Sequence, residues 1–311
     1  MKLKLQDRAK KCLCISVALM LLALILSVFG LGINRGIDFE GGLSIVYKMG
    51  SAFENADVET ALKNAGITEY QIAKAGADKS ELQIRVKALE GETAVHELRA
   101  KLEEELSAKY PNMKTNEATV SYVGGVASGT LLRNAIWSVL AAAAAMLIYI
   151  ALRFDFNMGV AAVFGIVHDV LIMLAFMVFA RSFVQMNSTF IAAMLTIVGY
   201  SINNTIIIFD RIRENHRKAV YANLAREEVV SISVKESLGR TINTTLTTVV
   251  TILCLYILGV SSIKEFALPI IVGILAGVYS ANLINGYIWA ALTELRTARA
   301  AQKKAAKASK A

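Results

Sequence analysis

The chain has 311 residues, and its 33 Lys and Arg against 25 Asp and Glu give a formal net charge of +8. Hydrophobic residues make up 55% of the chain and charged residues 19%, whereas soluble domains average about 45–50% and about 25%. This composition excludes a soluble globular domain and a disordered chain, and three cysteines in or beside apolar segments exclude a disulfide scaffold. It predicts a polytopic membrane protein.

The N-terminal part of the chain combines one predicted span with one polar domain. Residues 1–12 are basic and precede an apolar segment, 13–33, that is long enough to cross a hydrocarbon core of about 30 Å. No small-residue cleavage site follows it, so we expect an uncleaved transmembrane helix rather than a signal peptide. Residues 34–131 are polar, and their hydrophobic periodicity predicts the order β-α-β-β-α-β of a ferredoxin-like α+β domain.

Five further apolar segments lie within residues 134–292 and complete six predicted transmembrane helices, with the α+β domain between helices 1 and 2. They are 134–152, 158–180, 188–209, 242–262 and 266–292. The sizeable loop 210–240 carries seven Lys and Arg, and residues 293–311 form a basic tail. Gly273 and Gly277 in the last segment have the G-x-x-x-G spacing that favours close helix packing.

The distribution of Lys and Arg predicts the orientation in the membrane. Basic residues collect in the N-terminal segment, in the 210–240 loop and in the tail, whereas the short connections on the other side hold only Arg181 and Lys264. Because basic loops stay in the cytoplasm, we expect both termini to be cytoplasmic and the α+β domain to be extracytoplasmic. Topology and contact with anionic membrane lipids explain the basic loop, so we expect no nucleic-acid partner. Its amphipathic pattern favours a helix on the membrane surface or against a partner.

Three sequence stretches, together with the six predicted helices, carry a family resemblance. They are GIDFEGG at 36–42, GYSINNTIIIFDRIREN at 199–215 and GRTINTTLTTVVTILCLYILG at 239–259. In this order they resemble the SecF family, whose members are subunits of the SecD–SecF accessory complex of bacterial protein export. We expect the glycines of GIDFEGG to give a tight backbone path where the domain leaves the first helix.

The resemblance implies a half-transporter of the resistance-nodulation-division superfamily in the bacterial cytoplasmic (inner) membrane. Members of the family pair with a SecD subunit and use a proton or sodium gradient to help pull exported polypeptides through the SecYEG channel. No catalytic residue, cofactor or metal is implied, so we do not expect an enzyme. Many members have Asp where this chain has Asn204, and because an amide does not titrate, a proton-carrying role does not extend to this position.

Asp169 lies near the middle of the third predicted span, where a carboxylate costs about 2.5–3.5 kcal/mol to insert. Such residues face the bundle interior and mark ion or proton paths, and the resemblance also points to Asp169. The alternative is a neutral Asp169 that only hydrogen-bonds a neighbouring helix. His168 lies about 100° away around the helix, so we expect a histidine at a helix interface, with a secondary role in proton handling as the alternative.

Amide and hydroxyl side chains on other spans form the rest of the candidate site. Together with His168, the residues predicted to line a polar path to Asp169 are Ser201, Asn203, Asn204, Thr205, Asn243, Thr247 and Thr251. The last three are spaced i, i+4 and i+8, which places them on one helix face. The sixth span adds Ser280, Asn282 and Asn285. As a set these residues favour a wet path for ions, although each one alone can equally join helices by a hydrogen bond.

Two other classes of function stay open at this stage. One is a stand-alone transporter of lipids or small molecules, which needs a homodimer because six spans form half of the usual bundle. The other is a membrane-anchored extracytoplasmic sensor, in which Asp169 is dispensable. An intramembrane protease is disfavoured because no second span carries a paired Asp at matching depth. His96, His168 and His216 lie in separate compartments, so no metal site is predicted.

Overall fold

The computed structural model describes residues 5–75, 80–87, 91–182, 184–259 and 261–308. Within them the chain is mostly helical, with one small antiparallel sheet. The helices are α1 Leu5–Leu26, α2 Ile37–Glu40, α3 Asn55–Asn64, α4 Glu92–Lys109, α5 Gly125–Arg153, α6 Phe156–Phe179, α7 Ser188–His216, α8 Arg226–Leu258, α9 Ser261–Ser280 and α10 Gly286–Ala308. The strands are β1 Gly42–Lys48, β2 Tyr70–Ala75, β3 Glu81–Val86 and β4 Lys114–Val123.

The four strands and the helices α3 and α4 form an α+β domain. The strands pair antiparallel in the order β2-β3-β1-β4, and their order along the chain with the two helices is the predicted β-α-β-β-α-β. Alternate residues of a strand face the same side, so Leu43 and Ile45 of β1 share one face with each other. They form an apolar core with Ile84 of β3 and Leu102 of α4.

The turn from α2 into β1 depends on two glycines. Gly41 has a φ of 77° and Gly42 a φ of 123°, and residues with a Cβ rarely adopt such conformations. A Cβ on Gly42 would also collide with the carbonyl oxygen of Val86 in the neighbouring strand. The expected tight backbone path through GIDFEGG is therefore confirmed.

Six helical segments of the described chain are long and apolar enough to cross a membrane. They are Arg8–Leu31, Ala127–Ile150, Phe156–Phe179, Ser188–His216, Arg226–Leu258 and Ile263–Gln302. Each of the six predicted apolar segments overlaps one of them. Two segments contain a π-helical turn, Ser27–Leu31 after α1 and Ala281–Asn285 between α9 and α10.

The predicted 210–240 loop is much shorter in the structure. Helix α7 continues to His216 and α8 begins at Arg226, so that only residues 217–225 connect the two helices. Most of the predicted loop is therefore helical and continuous with the two apolar segments. The helix expected from the amphipathic pattern of this segment is present as the extended ends of α7 and α8, and not as a helix of its own.

Contacts between the polar ends of α7 and α8 explain why both helices extend. The amide of Asn215, which is fully buried, donates to Ser233 Oγ at 3.1 Å and to a Glu236 carboxylate oxygen at 2.6 Å. Arg211 Nε lies 2.7 Å from the same Glu236 carboxylate. These polar groups satisfy one another, so the two helix ends pack together instead of unwinding.

Both ends of the chain are also more helical than predicted. Helix α1 begins at Leu5, inside the segment 1–12, and α10 runs to Ala308, through most of the basic tail 293–311. Ala, Lys and Arg are strong helix formers, so the apolar helix continues into the charged residues. Residues 1–4 and 309–311 lie outside the described part of the chain.

Candidate ion site in the helical bundle

Asp169 is fully buried on α6 and is contacted from two further helices. Its Oδ2 accepts hydrogen bonds from Ser201 Oγ of α7 and from Ser280 Oγ of α9, the latter at 2.9 Å. Its Oδ1 lies 2.9 Å from His168 Nδ1. The structure therefore brings together Asp169, Ser201 and Ser280, all three of which the sequence singles out.

His168 is buried beside Asp169, where α6 packs against α9. Its side chain is 2% exposed, and its ring stacks on Tyr279 with ring centroids 6.1 Å apart. A neutral imidazole donates through Nδ1–H to the Asp169 carboxylate, which leaves Nε2 as an acceptor. Within the described residues, the buried Nε2 has no hydrogen-bond partner. The adjacent position alone does not predict this contact, because it requires the ring to fold back along the helix.

A second layer of polar residues lies one turn away from Asp169. Thr205 is one turn beyond Ser201 on α7, and Asn285 follows Ser280 across the π-helical turn. Asn285 Nδ2 donates to Thr205 Oγ1 at 2.9 Å, and Thr205 Oγ1 donates to the Ser201 carbonyl at 3.2 Å. Because a π turn is wider than an α turn, residues five apart can share one face, and such turns recur at functional sites.

Gly165 makes the room that Asn285 occupies. It lies on α6, one turn before Asp169. A Cβ at this position would lie 2.7 Å from Asn285 Cγ and would overlap the amide. No pattern in the sequence singles out Gly165, because its role depends on a side chain far along the chain.

Asn204 lies on α7, next to Thr205, and its side chain faces α8. It is buried, and its Nδ2 lies 3.4 Å from Thr245 Oγ1. The Oδ1 atoms of both Asn204 and Asn285 are buried and have no hydrogen-bond partner among the described residues. Buried acceptors of this kind are where a protein interior accommodates water or a cation.

Four of the predicted path residues do not reach this site within the chain. Asn203 on α7 and Asn243, Thr247 and Thr251 on α8 are all exposed. Their spacing does place the three α8 residues on one face, but that face points away from Asp169. The prediction that these side chains line a path inside this chain is therefore corrected.

The face of α8 that does pack inward carries a longer hydroxyl stripe. Ser233, Ser237, Thr241 and Thr245 are each four residues apart, and all are buried. The sequence contains this signal, since four hydroxyl residues at i, i+4, i+8 and i+12 outnumber the three of the exposed stripe. A comparison of the two stripes would have favoured the correct face.

Close packing of α9 against α7 brings Ser280 and Ser201 to the same carboxylate. A Cβ on Gly277 would lie 3.2 Å from Ser201 Cα and 3.6 Å from Asp169 Oδ2. A Cβ on Gly273 would overlap the Ile197 side chain. The close helix packing predicted from the G-x-x-x-G spacing is confirmed.

A cluster of charged side chains connects the C-terminal part of α7 to the turn between α5 and α6. Arg153 Nη2 donates to both Asp210 carboxylate oxygens, at 3.0 and 3.1 Å, and Arg213 Nη2 donates to one of them at 3.0 Å. The side chains are about a third exposed, so these pairs contribute about 1 kcal/mol or less each. Within the described residues, no group of three or more His, Cys, Asp or Glu could hold a metal ion.

Comparison with known proteins first defines the class. The family model described as "Protein export membrane protein SecD/SecF, C-terminal" matches residues 102–295. With six apolar helices, this makes the chain a multi-pass membrane protein of the Sec protein-transport system. The solved structure of SecDF from Thermus thermophilus, a translocon-associated membrane protein, superposes with a TM-score of 0.81 at 32% identity. That match covers 94% of this chain and 39% of the SecDF chain, so this chain spans well under half of SecDF.

Relatives then define the family within this class. The SecF protein translocase subunit of Thermodesulfovibrio yellowstonii is 35% identical over 277 residues, which cover 87% of this chain and 89% of that protein. The SecF subunit of Rhodothermus marinus is 33% identical over 96% of this chain and 95% of that protein. SecDF of Bacillus subtilis is 35% identical over 86% of this chain and 35% of that protein. The chain belongs to the SecF family.

Proposed function

We propose that this chain is a SecF-like subunit that helps to export polypeptides across the bacterial inner membrane through the SecYEG channel. In this proposal it works with a SecD-like subunit and draws on a proton or sodium gradient. The family relationship supports the Sec role, and SecDF proteins support a SecD partner because they contain both parts in one chain. Both termini would be cytoplasmic, with the ferredoxin-like domain on the extracytoplasmic side.

The observation that carries the gradient proposal is the fully buried Asp169, held by hydroxyls from two other helices. An ionised carboxylate accepts hydrogen bonds only, whereas a protonated one must also donate. Protonation or cation binding therefore changes which hydrogen bonds hold α6, α7 and α9 together. Ser280 Oγ has an alternative acceptor ready, because it also lies 3.2 Å from the Gly277 carbonyl. Asp169 can thus exchange partners without leaving Ser280 unpaired.

The exposed polar stripe of α8 supports a partner in the membrane. The hydroxyls of Thr247 and Thr251 bond carbonyls of their own helix, at 2.9 and 3.0 Å. Within the described chain, the exposed Asn243 amide has no hydrogen bond, and an unpaired amide is unfavourable in lipid. A SecD-like subunit that packs against this stripe would satisfy Asn243 and enclose the polar path from the other side.

Replacement of one carboxylate tests the proposal. In cells depleted of their own SecF, Asp169→Asn should fail to restore export, because the amide neither takes up a proton nor carries the charge that binds a cation. The matched control is Glu294→Gln, which makes the corresponding carboxylate-to-amide change at an exposed residue of α10. Precursor accumulation measured by pulse labelling should rise for the first variant only. Normal export by Asp169→Asn would refute the proposed role.

A further inference from the structure

Two side-chain ties join the α+β domain, together with the short helix α2 that leads into it, to the helices that hold Asp169. The first runs from α2 to the first residue of α7. The Asp38 carboxylate accepts from the backbone N–H of Ser188 at 2.6 Å and from Ser188 Oγ at 2.5 Å. A carboxylate at a helix N-terminus is stabilised by the exposed N–H groups and by the helix dipole.

The second tie runs from β3 to α9. Arg85 Nη2 lies 3.7 Å from a Glu265 carboxylate oxygen, and both side chains are mostly buried. Burial lowers the pKa of the Arg85 guanidinium, while the Glu265 carboxylate acts in the opposite direction. Because a buried ion left without its partner is strongly unfavourable, this pair resists separation of the domain from α9.

Asn187 connects the two ties. Its Oδ1 accepts from the backbone N–H of Phe190 at 3.1 Å and so caps α7. Its Nδ2 donates to Glu265 Oε2 at 2.9 Å. One side chain therefore fixes the start of α7 to the start of α9. We call Asp38, Arg85, Asn187, Ser188 and Glu265 together the domain clasp.

The helices that begin at the domain clasp are the ones that reach Asp169. Ser201 lies about 20 Å along α7 from Ser188, and Ser280 lies about 22 Å along α9 from Glu265, at about 1.5 Å per residue. Between these points Gly273 and Gly277 bring α9 into close contact with α7. Closely packed helices move together. A displacement of α7 and α9 near Asp169 is therefore expected to displace their other ends, at the domain clasp, as well.

The covalent links to the domain are poorly suited to transmit such a displacement. After α1 the chain passes through Gly30, whose φ is 80°, and then Gly32 before it enters the domain. On the return it passes Gly124 directly before α5, whose first residue is Gly125. Glycine permits many backbone conformations, so these connections can pivot. Between Gly32 and α2 the backbone is held, because Met186 N–H donates to the Asn34 carbonyl and Gly36 N–H donates to the Met186 carbonyl, each at 2.8 Å. This pairing fixes the entry to the domain at the start of α7, where the domain clasp lies, so the clasp and this pairing together are the stiffer route.

We propose that the domain clasp is the joint through which the state of Asp169 sets the orientation of the α+β domain. This inference rests on the proposed function, since it presumes that Asp169 changes state during export. Asp38, Arg85, Asn187 and Glu265 are positioning residues, which act through α7 and α9 rather than on the ion. Breaking the clasp uncouples the domain and leaves the ion site itself intact.

Secretion into inverted membrane vesicles that contain the full chain and its SecD-like partner tests the joint. Asp38→Ala combined with Glu265→Gln should lower gradient-stimulated secretion about tenfold, within the range of coupling between distant sites. Asp38→Asn should lose less, because its amide oxygen still accepts from Ser188. The matched control is Glu40→Gln, also on α2, whose carboxylate pairs with Lys87 at 2.7 Å inside the domain.

A second readout separates uncoupling from damage to the ion site. Dicyclohexylcarbodiimide modifies protonated carboxyl groups in apolar surroundings, and mass spectrometry measures its reaction with Asp169. The clasp variant should keep wild-type labelling of Asp169 while its stimulated secretion is lost. Labelling that falls together with secretion would overturn the inference, as would full stimulation in the clasp variant. Full stimulation in Asp169→Asn would instead refute the proposed function, whatever the clasp variant does.

Discussion

The α+β domain and the helical bundle bury different kinds of side chain. In the domain, the side chains with no exposed surface are apolar or aromatic, such as Leu43, Tyr47 and Leu82. In the bundle, Asp169, Ser280 and Asn285 are equally buried. Among the described residues, every polar side chain with no exposed surface belongs to the bundle.

This difference shows what each region has to do. An apolar core fixes one conformation, because its packing has no competing arrangement of hydrogen bonds. A buried polar site costs stability unless every group is paired, and three acceptors of the bundle have no partner within the described chain. Such a site can exchange partners. The domain is therefore suited to hold its shape, and the bundle to change state.

The largest expected effect is on the core of the domain. Ile84→Ala removes a fully buried side chain and should destabilise the domain by about 2–5 kcal/mol. Hydrogen exchange of the β1 and β3 amides in the full chain should rise, while the helices of the bundle keep their protection. The exposed Ile263→Ala is the matched control, and an equal change in both variants would contradict a core that is local to the domain.

Gly165→Ala tests the second polar layer of the bundle. The added methyl group overlaps the Asn285 amide and should cost about 1–3 kcal/mol through overpacking. Gly199→Ala on α7 is the control, because a Cβ there meets no atom within 4 Å. Thermal unfolding of the purified chain should separate the two variants. Equal unfolding temperatures would show that Asn285 is not held against α6.

A pair of threonines on α8 distinguishes the buried stripe from the exposed one. Thr245→Val leaves the Asn204 amide without its partner and should cost about 1 kcal/mol. Thr247→Val, two residues away, should change the stability of the isolated chain by less than about 0.5 kcal/mol. Unfolding in denaturant, measured for both variants in the same detergent, checks the order. A larger loss for Thr247→Val would reverse the assignment of the two faces.

The smallest effect concerns an exposed ion-pair cluster of the domain. Hydrogen bonds from Lys114 and Lys48 lower the pKa of Glu117 to about 2. A lowered folded-state pKa stabilises the fold above the unfolded pKa of about 4.5, and this contribution is lost as the pH falls toward about 2. Glu117→Gln should therefore lower the unfolding temperature slightly at pH 6 and by less at pH 2. A difference that does not depend on pH would contradict this origin.

Much of the fold could be predicted from local patterns. Alternating apolar residues predict β1 and β3, and long apolar runs predict the spans, because both signals lie within a few residues of one another. Helix ends were less predictable, since the extension of α7 to His216 depends on Asn215 and its partners on α8. A contact between the polar ends of two helices cannot be predicted from the sequence of either helix alone.

The candidate site was predictable in part for the same reason. Asp169 is conspicuous because a carboxylate is rare in an apolar run, and Ser201 and Asn204 follow from their depth in α7. The inward face of α8 was not predicted, because Ser233 and Ser237 lie in the segment 210–240, which the sequence predicts to be a loop and not part of the helix. The tie from Asp38 to Ser188 has no local signal, since it joins residues 150 positions apart in the chain.

In the proposed function, Asp169 couples an ion gradient to export. The most direct measurement is secretion into vesicles that contain the full chain and a SecD-like partner, with proton and sodium gradients imposed separately. We expect at least one gradient to stimulate secretion by the wild-type chain, and neither to stimulate secretion by Asp169→Asn. Stimulation of the variant equal to that of the wild type would contradict the claim.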